Sequence, residues 1–97
     1  MAKAYWIAHI DVDDPDGYKA YVSKSTAAVQ AFGGRHIVRG GKSEGREGTL
    51  RARHAVVEFP DYDAAVRCYQ SDLYQEALGI RRRYSQGDLV IVEGIDG

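Results

Sequence analysis

The sequence has a single cysteine, Cys68, so neither an internal disulfide nor a cysteine-rich zinc cage can hold the fold together. That residue is expected to act as a small buried hydrophobe. Charge of one sign is not in excess either. Thirteen Lys plus Arg face fourteen Asp plus Glu, a formal net charge of −1, without the cationic surplus that binding a phosphate backbone requires. Nucleic acid is not an expected partner. No apolar run approaches the roughly 20 residues of a membrane span, and no cationic start leads into an apolar stretch with a small-residue cleavage site. A membrane partner is not expected, and the cytoplasm is the default location. The length suits one domain, residues 1–97, which buries roughly two-thirds of its unfolded surface and would gain from further burial against a partner.

What is present is patterned. In Tyr5–Val12, the residues Trp6, Ala8, Ile10 and Val12 share one side of a strand and are all apolar. The other side, Tyr5, Ile7, His9 and Asp11, is mixed, too apolar for open solvent at one end and too polar for a dry core at the other. Asp14, Pro15 and Asp16 then start a helix with a capping carboxylate, a first-turn proline and an acid. Its stripe is Tyr18, Tyr21, Val22, Ala28, Val29 and Phe32, interrupted by Ser25, and Gly33 and Gly34 end it.

Arg35–Arg39 reads as a second strand, with a bulge or bend expected at Gly40 and Gly41. A turn tip at Glu47 and Gly48 makes residues 35–59 one long hairpin. The chain is organised around Ala55–Tyr74. There Val56, Val57 and Phe59 build a strand, Pro60 stops it, and Asp61 caps the next helix. His54, Val56 and Glu58 share one side of that strand, and Ala55, Val57 and Phe59 the other. Two helical pieces follow, the first with the stripe Ala65, Val66 and Tyr69, the second capped by Ser71 with the stripe Leu73, Ala77 and Ile80. Gly79 is expected to fray the second before Gly87, and Asp88–Glu93 closes the chain as a strand.

The order βαββαβ is that of α+β domains of the ferredoxin-like kind, with a four-stranded antiparallel sheet and both helical segments on one face. The other face, carrying Tyr5, Ile7 and Val56, needs a cover. A second copy of the chain is the simplest one, giving a homodimer whose two sheets enclose a small barrel lined by His9, Asp11 and Glu58.

The runs AYWIAHIDVDDPDGYKAYV, FGGRHIVRGG, EFPDYDAAVRCYQSDLYQEALGIR and DLVIVEG, taken in order, resemble the DUF1330 family of the dimeric α+β barrel superfamily. The resemblance implies a ferredoxin-like subunit and a homodimer, and brings no established reaction. Superfamily members include cofactor-independent monooxygenases, muconolactone isomerases and haem-binding peroxidases, which place small ligands between sheet and helices or inside the barrel. Among the positions matching the family pattern, Asp11, Arg39, Glu58, Tyr69, Tyr74 and Arg81 are not required by caps, turns or core packing.

Each candidate has a structural alternative. His9 and Asp11, two apart on one strand face, are the catalytic candidates, since an imidazole and a carboxylate can move a proton near neutral pH; dimer contacts are the alternative. Arg39 and Glu58 are expected to form an ion pair that fixes the dimer or to contact a ligand. Tyr69 and Tyr74 either line a pocket mouth or staple helices to the sheet. Arg81, two helical turns beyond Tyr74, offers a guanidinium to a carboxylate-bearing ligand; the alternative is that Arg81, Arg82 and Arg83 together form a solvated helix end complementing its dipole.

Gly41-Lys42-Ser43 lacks the glycine and the helix of a P-loop. His9, His36 and His54 show no metal-ligand spacing, so neither metal nor cofactor is expected. The leading expectation is a homodimer binding a small carboxylate or phenolic molecule, with acid-base chemistry that needs no cofactor. A non-catalytic structural or regulatory dimer is the alternative. A haem-binding or monooxygenase-like enzyme is a third; haem would take His9, His36 or His54 as its axial ligand.

Overall fold

The computed structural model describes residues 2–96. Met1 and Gly97, the ends of the span expected as a domain, lie outside them. The elements run β1 (Ala4–Val12), α1 (Pro15–Ala31), β2 (Arg35–Arg39), β3 (Arg53–Phe59), α2 (Tyr62–Gln70), α3 (Asp72–Tyr84) and β4 (Ser85–Glu93). The four strands form one antiparallel sheet in the order β2-β3-β1-β4. The α1 crossover therefore leaves a gap that β3 fills, and the α2–α3 crossover carries the chain past β1 to the far edge. This is the expected α+β, ferredoxin-like βαββαβ arrangement.

The helix starts follow the residues that encode them. Asp14 accepts from the backbone N–H groups of Asp16 and Gly17, at 3.1 and 3.2 Å, with Pro15 in the first turn. Asp61 accepts from Ala64 at 2.7 Å, and Ser71 from Tyr74 at 3.2 Å. Each cap satisfies amides that lack an intrahelical partner. Gly33, at φ 77°, closes α1, and the Gly34 amide donates back to the Val29 carbonyl.

The core lies between the sheet and the helices. Ala4, Trp6, Ala8 and Ile10 of β1 are buried there beside Val57 and Phe59 of β3. Trp6 sits at the centre, its ring 5.0 Å from Phe59 and 4.6 Å from Tyr74, and its indole N–H donates to the Ala65 carbonyl at 3.0 Å. Cys68 is fully buried, and that burial pushes its thiol up to about 12.

Four local expectations are corrected. Gly40 does bend the chain, at φ 62°, but the bulge falls earlier, between His36 and Val38. Residues 40–52 form an irregular loop with bends at Glu47 and Gly48 rather than hairpin arms. The last helix passes Gly79 and ends at Tyr84, before Gly87, its last carbonyl accepting from Asp13 and Asp14, but β4 starts at once at Ser85 rather than at Asp88. Its inward face is Tyr74, Ala77, Leu78 and Arg81, so Leu73 stands in solvent at 52% exposure. Packing of Tyr74 on Trp6 selects a face one residue away from the aliphatic stripe.

Candidate functional site

The helix-free face presents ranks of side chains fixed by register. One rank crosses all four strands: Val38 opposite Val56, Val56 opposite Ile7, Ile7 opposite Val90. On one side of it Tyr5 lies between Glu58 and Val92, and on the other His9 lies between His54 and Asp88. Val38, Val90 and Val92 are exposed. A strip of this kind facing water marks an interaction surface rather than a finished exterior.

The polar end of that face is tied together. His9 Nδ1 and His54 Nδ1 are 2.8 Å apart, so one ring donates and the other accepts. Both Asp11 oxygens are engaged, one by the Ala52 amide at 2.9 Å and the other by Arg51 Nη1 at 3.0 Å. Arg51 Nε also donates to Asp88 at 3.1 Å. The Asp88 hydrogen bond leads the contacts that hold the Arg51 guanidinium above its ordinary range, with Asp11 adding to it. These groups line an open groove of about 450 Å³ with Thr49 and Leu50. Asp11 therefore anchors the end of the 40–52 loop to the sheet.

Glu58 also lies on this face, but its partners are Lys3 at 3.2 Å and Arg35 at 3.4 Å. The Lys3 hydrogen bond, with further attraction from Arg35, holds the carboxyl below its usual range. The expected Arg39–Glu58 pair does not form, because the two side chains emerge on opposite faces. Simple alternation would put Arg39 on the Arg35 side. The bulge at Ile37 resets the phase, so that His36 pairs with Val57 and Arg39 with Ala55, both turned toward the helices.

Tyr69, Tyr74 and Arg81 do meet, inside the helix layer. Tyr74 is fully buried, its hydroxyl 2.9 Å from that of Tyr21 and 3.5 Å from Arg81 Nη1. Burial, then the neighbouring Tyr21, raises the Tyr74 phenol, with Arg81 opposing. The Arg81 guanidinium lies 5.8 Å from the Tyr21 ring centre, and Arg81 and Tyr69 reach an outer groove near the start of β4. Tyr74 is thus a core staple, while Arg82 and Arg83 are exposed.

A separate cavity of about 30 Å³ lies under α1, lined by Trp6, Ala8, Ile10, Tyr18, Tyr21, Val22, Ser25, His36, Arg39, Arg53, Ala55, Val57 and Leu89. Arg53 lies 5.6 Å from the Tyr18 ring centre, and its Nε is buried without a hydrogen-bond partner. An unmet buried donor costs roughly 1–3 kcal/mol. Arg39 stands at the rim, 3.5 Å from the Thr26 hydroxyl. Burial, helped by Arg39 and Arg53, lowers His36 from 6.5 to about 4, so its imidazole is neutral at neutral pH. The same Arg53 lowers the Tyr18 phenol, but burial outweighs it and the net shift is upward.

The candidate residues therefore occupy three places: His9, Asp11 and Glu58 on the open face, Tyr69, Tyr74 and Arg81 in the helix layer, and Arg39 at the cavity rim. Reasoning from sequence missed His36 and Arg53 as lining residues. The signal for Arg53 was its place one residue before His54, which puts it on the helix side with Ala55. Among the described residues, no three His, Cys, Asp or Glu side chains gather to hold a metal ion, and no helix is long and apolar enough to cross a membrane.

Sheet order, helix placement and the uncovered face define a ferredoxin-like α+β subunit. The chain belongs to the DUF1330 family, a domain of unknown function, whose family model matches residues 3–95. Solved structures share the fold at low identity. RPA0582, a protein of unknown function from Rhodopseudomonas palustris, is 17% identical with a TM-score of 0.73, over 99% of this chain and 85% of that one. SnoaB, a cofactor-independent oxygenase from Streptomyces nogalater, is 14% identical with a TM-score of 0.69, over 100% and 97% of the two chains. A dimeric ferredoxin-like protein of unknown function from Thermobifida fusca is 17% identical with a TM-score of 0.63, over 96% and 92%. No curated protein sequence matches the chain.

Proposed function

We propose that this protein is a homodimer, paired through its helix-free sheet faces, in which each subunit binds a small carboxylate or phenolic molecule beside the barrel. The two-sidedness of the sheet carries the reading. One face bears the apolar rank Val38, Val56, Ile7 and Val90 and asks for a cover. The other roofs a cavity in which phenols and guanidiniums interrupt apolar walls, the composition of a small-molecule site. The dimeric Thermobifida fusca protein of the same fold supports the pairing.

In this dimer His9, His54, Asp11 and Glu58 line the enclosed chamber. A thermal-shift screen of aromatic carboxylates and phenols, run on protein whose mass is read by light scattering, tests the reading. The expected result is a dimeric mass and a rise in melting temperature with some of these compounds. A monomer, or a melting temperature that no compound moves, defeats it.

A second reading, cofactor-free acid-base chemistry, is favoured by the hydrogen-bonded His9–His54 pair, which can relay a proton, and by the fold shared with SnoaB. It requires turnover of a phenolic substrate that His9→Ala abolishes while binding persists.

A further inference from the structure

We propose that the cavity under α1 is an anion site, in which Arg53 and Arg39 grip the carboxylate of a small aromatic acid whose ring enters between Tyr18, Tyr21 and the apolar floor. This rests on the small-molecule reading above and names the ligand class. Four observations support it.

First, the lining contains two guanidiniums and an imidazole but no carboxylate. Neither Arg39 nor Arg53 has a carboxylate partner among the described residues, whereas Arg35, Arg46 and Arg67 each pair with one and Arg51 with two. Second, Arg53 Nε is buried with nothing to donate to. Native structures rarely leave such a donor unmet, so the cavity offers it to an entering acceptor, a water or a ligand oxygen.

Third, the backbone is shaped to bring these groups together. The bulge at Ile37 turns Arg39 inward, onto the face that His36 already shares. Gly40 takes φ 62° directly against Arg53, where a β-carbon would collide with Nη1. Fold stability alone would be served as well by apolar side chains at these positions. Fourth, the two cations already help to keep the His36 ring neutral, so the cavity is electropositive before any ligand arrives.

A carboxylate fits better than a phosphate. The α1 N-terminus is occupied by its own Asp14 cap and offers no free amides to a phosphate, whereas a planar carboxylate can match the guanidinium fork. The present volume admits little more than water, so an entering ring displaces the Arg39 and Arg53 side chains outward onto its own carboxylate.

The test is two-dimensional NMR of the intact protein titrated with benzoate, benzamide and phenyl phosphate. Benzoate is expected to shift amides of Tyr18, Val22, His36 and Ala55. Benzamide should bind at least tenfold more weakly, and phenyl phosphate more weakly than benzoate. Arg53→Met and Arg39→Met should each weaken benzoate at least tenfold, while Arg67→Met, at an exposed position of α2 paired with Asp63, leaves it unchanged. Arg39 stands at the exposed rim, so a folding defect at position 53 would not decide the question. Equal binding of benzamide, or benzoate shifts confined to the His9–Arg51 groove, would overturn the anion site, and tighter binding of phenyl phosphate would overturn the assignment of a carboxylate to it; each leaves small-molecule binding standing. No shifts with any of the three probes, nor with phenol added as a fourth, at millimolar concentration would sink both.

Discussion

At the scale of single residues, the sequence disclosed those whose role is set by their neighbours in the chain. Asp14, Asp61 and Ser71 are caps because a capping oxygen, a helix and a preceding turn are all local. Arg53 and His36 were not legible in this way. Nothing in RHAVVEF says that the first arginine ends over a tyrosine ring from another element, and the surroundings of His36 depend on two guanidiniums from two strands.

That placement has a pH consequence. The folded protein keeps His36 neutral down to about 4, whereas an unfolded chain protonates it near 6.5, so between those values the unfolded state holds the additional proton. The contribution is complete above about 6.5, falls away as pH drops, and stops changing once pH is below about 4. The other titratable groups lining the cavity are Arg39, Arg53, Tyr18 and Tyr21, none of them an anion at these pH values that would rescue the protonated form. The stability lost on this account between pH 7 and pH 4.5 is on the order of 2 kcal/mol. Urea denaturation of His36→Gln should show a loss over that range smaller by about this amount. Parallel losses in the two proteins would mean that the ring is not held neutral.

Among elements, the alternation of β1 and β3 was readable because their faces are consistently apolar or mixed, and register then follows. The short strand β2 was not. In RHIVRGG both glycines look like the irregularity, yet the register shift falls at Ile37, where resetting the phase moves Val38 into the open-face rank and brings Arg39 beside His36 toward the helices.

The two glycines consequently differ. Gly40 holds φ 62° and abuts Arg53, whereas Gly41 has open space around it. Gly40→Ala should cost about 1–2 kcal/mol through left-handed backbone strain and displacement of Arg53. Gly41→Ala should stay within roughly 0.5 kcal/mol of the parent. Urea midpoints of the two variants check this, and equal costs would remove the special role given to Gly40. The last helix was misread for a related reason. An aliphatic stripe through Leu73 and Ile80 competes with a face built on Tyr74, and contact with Trp6, 68 positions away in the chain but adjacent in space, decides for the tyrosine.

For the whole molecule, the order of elements and the bare sheet face were both legible, since they follow from periodicity and from local cap and stop residues, and together they ask for a partner. The rank Val38, Val56, Ile7 and Val90 makes that demand testable with one side chain. Val90 is 53% exposed in the isolated subunit, so Val90→Arg should leave a lone subunit's stability within roughly 0.5 kcal/mol. Pressed between two sheets, the same guanidinium would be buried without a partner, a cost of several kcal/mol that is met twice across a twofold axis. The parent should therefore scatter light as twice the 10.7 kDa chain and melt at a temperature that rises with protein concentration. The variant should scatter as a single chain, with the dimer weakened at least a hundredfold and its melting temperature independent of concentration. A variant that remains dimeric would move the interface away from this face, and with it the chamber assigned to His9, Asp11 and Glu58.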